Sequence, residues 1–181
     1  LKGFEMKQPL VYDPFVNQVN AEKLGVKKVE LHELMKYSDF ITLHCPLNEH
    51  TRNLISHSEL DLMKSSSFII NTARGGIINE EALFKALSEK KIAGAALDCF
   101  NDEPVLKPNC FSELDNIILA PHSIAWTQEL FRDIGMMCSQ HMIDLANGIR
   151  PHGVVNPEVF DRPSFQKKWE GLRVQTNPTS S

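Results

Sequence analysis

Three side chains in this sequence have the types and the setting to do chemistry together: Arg74, Glu103 and His122. Arginine grips a carboxylate through two parallel hydrogen bonds, a fork that lysine cannot form. Histidine gives or takes a proton near neutral pH. A carboxylate beside it orients the ring and favours the imidazolium. Singly, each has a plain reading. An arginine or an acid in a loop usually faces water, and a lone loop histidine is usually structural. What sets these three apart is that each follows a segment that reads as a parallel strand, beyond its carboxyl end. In an open α/β sheet those ends share one edge, and ligands bind there.

The segments that would position them can be read in turn. Phe68-Ile69-Ile70 leads into Asn71-Thr72-Ala73, the pattern of a short strand buried on both faces. Gly75-Gly76 lets the backbone turn sharply after Arg74. Asn79 can then cap a helix from Glu80 to Glu89, with Ala82, Leu83, Ala86 and Leu87 on one face. Upstream, Leu1 to Phe4 reads as a helix end capped by Gly3. Strands are expected at Leu10 to Tyr12, Val26 to Val29 and Phe40 to His44, the last stopped by Cys45-Pro46. Helices are expected at Val16 to Leu24, Glu30 to Lys36 and Ser56 to Lys64. Downstream, strands at Ile92 to Asp98 and Asn116 to Ala120 precede the Glu103 and His122 loops. Such alternation argues an α/β fold: βαβ units, a parallel sheet and helices on both faces. Thr127 to Asn147 reads as one long helix, with Met137, Met142 and Ile143 as core. The last twenty or so residues are polar and aperiodic, and read as a loosely held, irregular tail.

Composition excludes several function classes. The net charge of −4 leaves no basic excess to neutralise phosphates, so nucleic acid is not an expected partner. No apolar run approaches the roughly 18 residues that a membrane span needs. Cys45, Cys99, Cys110 and Cys138 are widely spaced and form no CxxC pair, which suits free thiols in a reducing compartment, the cytoplasm. The seven histidines lack metal-ligand spacing, so no metal is expected. Asp13 ends the first strand. In a dinucleotide fold an acid there bonds the adenosine ribose and repels a 2′-phosphate, although Asp-Pro by itself is a common turn. The glycine fingerprint that should precede it by about 20 residues would fall before Leu1. The first residue is Leu and not Met, so the chain is expected to be truncated at its N-terminus.

Hydride transfer to a 2-keto acid needs a carboxylate anchor, a proton donor for the developing alkoxide and a nicotinamide cofactor. The sequence resembles the nucleotide-binding part of the D-isomer-specific 2-hydroxyacid dehydrogenases, which include phosphoglycerate dehydrogenase and the glyoxylate/hydroxypyruvate reductases. The likeness runs from Leu1 to about Val159. It rests on Tyr12-Asp13-Pro14, His44-Cys45-Pro46-Leu47, Asn71-Thr72-Ala73-Arg74-Gly75-Gly76, Leu97-Asp98-Cys99-Phe100 with Glu103-Pro104, Pro121-His122 and Val155-Asn156-Pro157, in that order and spacing.

That resemblance implies a Rossmann-like, doubly wound parallel sheet, a long C-terminal helix, and NAD as cofactor. It implies catalytic roles for Arg74 on the substrate carboxylate and carbonyl, His122 as acid/base, and Glu103 as its partner. It places Asp13 at the adenosine ribose, Cys45, Thr72 and Ala73 along the cofactor cleft, and Asp98 at the nicotinamide carboxamide. Ile124-Ala125 would lie beside the nicotinamide ring. The Ala125-Trp126 pair is similar to some hydroxypyruvate reductases. The expected organisation is a partial NAD-binding domain over 1–126, a helix and returning segment over 127–159, and a tail over 160–181. The expected function is NAD-dependent reduction of a 2-keto acid such as hydroxypyruvate or glyoxylate, with a homodimer at full length. The glycine loop and the N-terminal piece of the family's substrate domain are missing here, so this chain alone is expected to bind NAD weakly and to turn over negligibly. The alternative is a catalytically dead nucleotide-binding or protein-binding regulator, like the family's corepressors.

Overall fold

The computed structural model of the chain describes residues 5–106 and 109–176. It divides into two compact units, Leu1–Ile124 and Ala125–Ser181. The helix end expected at residues 1–4 lies outside the described residues.

The first unit begins with β1 (Leu10–Val11), α1 (Gln18–Lys23) and β2 (Lys27–Lys28). The side chain of Asn17 accepts the Asn20 amide at 2.9 Å and starts α1. Gly25, with φ of 76°, lets the chain leave it in a conformation that other residues resist. β1 and β2 pair in parallel as a separate two-stranded sheet. After α2 (Leu31–Tyr37) come β3 (Phe40–Leu43), α3 (His57–Leu60), β4 (Phe68–Asn71), α4 (Glu80–Ser88), β5 (Gly94–Leu97) and β6 (Ile117–Leu119). The four strands form one parallel sheet in the order β3-β4-β5-β6. This is the expected α/β architecture, with strand and helix ends shifted by a few residues.

One expectation fails within this unit. The sheet is buried on one face, not two. Ile41, Leu43, Ile69, Ala95 and Leu97 point into a core shared with Met35 of α2, Leu60 of α3 and Leu83 of α4. The alternate residues point the other way. Phe40 is 69% exposed and Ile118 72% exposed, and Phe40 and Phe68 stack on each other with ring centres 5.4 Å apart. The apolar run at Phe68-Ile69-Ile70 suggested burial on both sides, but within this unit the aromatic side leans on its cross-strand neighbour instead.

The second unit contains α5 (Gln128–Ala146) and α6 (Pro163–Thr176), with a 3₁₀ turn at Pro157–Asp161 before α6. The Thr127 hydroxyl caps α5 by accepting the Leu130 amide at 3.1 Å. The helix is where the sequence placed it, but its methionines are not core. Met137 is 58% exposed, Met142 and Ile143 are similarly open, and no residue of α5 is buried. The segment expected to be an irregular tail is helical over Pro163–Thr176. Proline suits a first helical position. Phe165 and Trp169, one turn apart, both pack on buried Phe160, with ring centres 5.3 Å and 5.4 Å away.

The one-sided sheet gives a direct prediction. Ile69→Ala, at a fully buried site, should cost about 2–5 kcal/mol in unfolding free energy, whereas Ile118→Ala should stay within about 1 kcal/mol of wild type. Urea unfolding of both variants checks it, and equal losses would mean that the outer face is covered.

Candidate active site

The carboxyl ends of β3, β4, β5 and β6 open onto one edge of the sheet, and every residue of interest but two lies just past them. His44, Cys45, Pro46 and Leu47 follow β3, and Thr72, Ala73 and Arg74 follow β4. Together these seven line a cavity of about 710 Å³. That is the size range of small-molecule sites. Burial pushes the Cys45 thiol above its ordinary value, so it stands in the wall as a neutral thiol and not as a nucleophile.

The turn after β4 is held from inside. Asn71 is 2% exposed at the end of the strand. Its side-chain oxygen accepts the Ala73 amide at 3.0 Å, and its side-chain nitrogen donates to the Arg74 carbonyl at 2.8 Å. A buried amide must find such partners, and these fix the backbone on either side of the Arg74 side chain. The guanidinium donates to the Ala73 carbonyl at 2.6 Å and is otherwise exposed to the cavity mouth. Sequence reasoning placed Asn71 in the strand and missed this role. The available signal was a polar residue ending an otherwise apolar run.

Gly75 brings the next loop close. A Cβ on it would lie 1.9 Å from the Phe100 carbonyl oxygen, so only glycine permits the approach. Phe100 belongs to the loop after β5 that carries Glu103. One Glu103 oxygen accepts the Phe100 amide at 2.8 Å, and the other lies 2.7 Å from His122 Nδ1. A carboxylate can only accept, so Nδ1–H donates and Nε2 is left to face a ligand. Partial burial works to raise the Glu103 carboxyl. The hydrogen bonds from His122 and Phe100, helped by the charges of His122 and Arg74, outweigh it and hold the group below its ordinary value.

His122 stands in a left-handed backbone conformation, with φ of 55°. For a residue with a side chain this costs about 1–3 kcal/mol and persists only where neighbours enforce it. Here Asp98 does so. It is buried directly after β5, and its two oxygens accept the amides of Ser123 at 2.9 Å and Ile124 at 3.3 Å. Cys99 next to it is buried against the Asn71 carbonyl, and burial together with the Glu103 and Asp98 carboxylates pushes its thiol up to about 11.

The structure therefore brings together Glu103, His122, Asp98 and Ile124 in one cluster, and Cys45, Thr72, Ala73 and Arg74 around one cavity. Asp13 follows β1, where its carboxylate accepts the Phe15 amide at 2.8 Å in its own turn, and it is not among the cavity lining. Ala125 begins the second unit. Among the described residues, no group of three or more His, Cys, Asp or Glu could hold a metal ion.

Comparison with known proteins fits this geometry. The family model of the D-isomer specific 2-hydroxyacid dehydrogenase NAD binding domain matches residues 1–123. The chain is 38% identical over 167 residues to a glyoxylate reductase of Korarchaeum cryptofilum, covering 91% of this chain and 50% of that protein. It is 37% identical over 165 residues to a D-3-phosphoglycerate dehydrogenase of Archaeoglobus fulgidus, covering 91% of this chain and 31% of that protein. Among solved structures, D-lactate dehydrogenase with NAD+ from Lactobacillus jensenii superposes with a TM-score of 0.74 at 30% identity, over 82% of this chain and 48% of that one. The chain thus spans between about a third and a half of the length of these relatives.

The Glu103 carboxyl gives a pH prediction with a defined sign. Its folded-state value lies below the ordinary 4.5, so its stabilisation is present above 4.5 and is lost as pH falls through the lowered value. Glu103→Gln should therefore be less stable than wild type at about pH 7, and the gap should narrow at about pH 3. Unfolding midpoints at the two pH values check this, and a gap that is constant or grows at low pH would contradict it.

Proposed function

The chain belongs to the D-isomer specific 2-hydroxyacid dehydrogenase family, and from that premise we propose that the intact protein interconverts a small D-2-hydroxy acid and its 2-keto acid with NAD. The Glu103–His122 pair at 2.7 Å is the observation that carries this reading. It holds the ring by Nδ1 and presents Nε2, the arrangement that a proton donor to a carbonyl oxygen requires.

NAD fits the residues present. The cavity past β3 and β4 offers Cys45, Thr72, Ala73 and Arg74 to the nicotinamide end. Asp13 follows β1, at the strand end where such folds hold the adenosine ribose. Asp98 and Ile124, beside His122, would meet the nicotinamide carboxamide and ring. Each Asp98 oxygen can accept a further hydrogen bond beside the backbone amide it already holds. When bound, the dinucleotide supplies the hydride. Arg74 anchors the keto acid by its carboxylate and polarises the carbonyl. His122 gives its Nε2 proton to the carbonyl oxygen as the alcohol forms, and takes it back in the oxidation. Glu103 fixes which nitrogen faces the substrate. Asp13 would disfavour a 2′-phosphate, which argues for NAD over NADP.

We assign the substrate to short 2-keto acids of the glyoxylate and hydroxypyruvate type; of the relatives above, one is named for glyoxylate and another for D-lactate. A homodimer and a cytoplasmic setting complete the reading, the latter supported by four free cysteines. No described helix is long and apolar enough to cross a membrane.

The test is steady-state reduction of glyoxylate and hydroxypyruvate by NADH and NADPH in the intact protein. His122→Asn should lower kcat by about a hundredfold to ten-thousandfold with little change in NADH affinity. Arg74→Lys should act mainly by raising KM for the keto acid. Near-normal turnover in His122→Asn, or better efficiency with NADPH, would overturn the corresponding assignment. Absence of any activity in wild type would favour a binding protein of the corepressor kind.

A further inference from the structure

We propose that Glu80 is a positioning residue for the Glu103–His122 pair, acting through the Asn101 amide. The inference rests on the acid–base reading of that pair. Glu80 is the first residue of α4, where a carboxylate ordinarily serves the free amides of its own helix. Here one of its oxygens accepts the amide of Asn101, 21 residues away, at 2.6 Å. The helix's own N-terminal amides are served by Asn79, whose side-chain oxygen accepts from Ala82 at 2.9 Å.

The loop that Glu80 holds opens to water after its first residue. Phe100 is buried, but Asn101, Asp102, Glu103 and Pro104 are all exposed. Beside the burial of Phe100 and the Glu103–His122 contact, three ties hold it among the described residues. Gly75 abuts the Phe100 carbonyl. Glu103 accepts the Phe100 amide at 2.8 Å. Glu80 accepts the next amide along. The first and third ties both come from the segment that follows Arg74, and α4 is rooted in the core by Ala82, Leu83, Ala86 and Leu87. Glu80 thus links the substrate-anchoring turn to the loop of the acid–base pair. Its setting strengthens the link. The carboxylate is partly buried, and burial, with the nearby Asp102 charge, pushes its carboxyl up against the pull of the Asn101 hydrogen bond. A hydrogen bond in such a place is worth more than one in water.

Two substitutions separate reach from charge. Glu80→Asp keeps the charge and a good first helical residue but is one methylene too short for the Asn101 amide. Glu80→Gln keeps an acceptor oxygen at the same reach and removes the charge. The primary readout is the titration of the Glu103 carboxyl by carbon NMR on the 181-residue chain with labelled glutamate, assigned with Glu103→Gln. In wild type it titrates below 4.5. Glu80→Asp should move it upward, towards the ordinary value, as the loop slackens and the His122 and Phe100 contacts loosen. Glu80→Gln should leave it low, because loss of a neighbouring negative charge cannot raise it. In the intact protein, Glu80→Asp should lower kcat by about ten- to a hundredfold, and by more than Glu80→Gln does. If Glu80→Asp leaves the Glu103 titration in place, or Glu80→Gln raises it equally, the proposal is overturned. Equal turnover in the two variants would also overturn it. The titration judges Glu80 whether or not the protein is a dehydrogenase, so failure of the functional reading would show separately, as an inactive wild type.

Discussion

A side chain at residue 75 would collide with the backbone of residue 100, and the whole edge of the sheet is built on that approach. With glycine there, the turn after β4 and the loop after β5 meet backbone to backbone. Everything that could do chemistry hangs from one of these two segments or from the strand next to them. Arg74 sits on the first, Glu103 on the second, and His122 is reached from the second by a hydrogen bond of 2.7 Å. A parallel sheet makes the meeting possible, since it sends successive strands out at the same edge. The sheet alone does not set the spacing to better than a few ångströms. Side-chain to backbone hydrogen bonds from Asn71, Asp98 and Glu103 do that, each satisfying amides that the loops would otherwise leave without partners.

This division of labour explains what the sequence disclosed. Strand positions, parallel pairing, the Asn79-capped helix and the Arg74-Gly75-Gly76 turn follow from local patterns, and local patterns are legible. The pattern of strands put the Glu103 and His122 loops at one sheet edge, and their pairing was what the family resemblance implied. The roles of Asn71 and Glu80 were not inferable, because each depends on which backbone amide or carbonyl a distant loop presents. Nothing in an Asn-Thr-Ala-Arg string says that the asparagine side chain clasps residues 73 and 74 from below.

The failures have a common cause as well. Burial was read from hydrophobicity, but hydrophobicity does not say what covers a face. Phe68 belongs to an apolar run and still points outward, stacked on Phe40. The methionines of α5 repeat at helical spacing and remain open. In the last stretch of chain the error runs the other way. A polar segment with two well-spaced aromatics, Phe165 and Trp169, finds Phe160 and forms a helix, although its composition suggested none.

We propose that the Arg74 turn and the Glu103–His122 pair converge on one small anionic carbonyl compound. A crystal structure of the intact protein with NAD and oxamate, an unreactive mimic of a short 2-keto acid, tests it most directly. The oxamate carboxylate is expected in a two-pronged hydrogen bond with Arg74. Its keto-like carbonyl oxygen is expected within hydrogen-bonding distance of His122 Nε2, with Nδ1 still on Glu103. Oxamate bound away from Arg74, or a His122 ring turned so that Nε2 has no contact with it, would contradict this convergence.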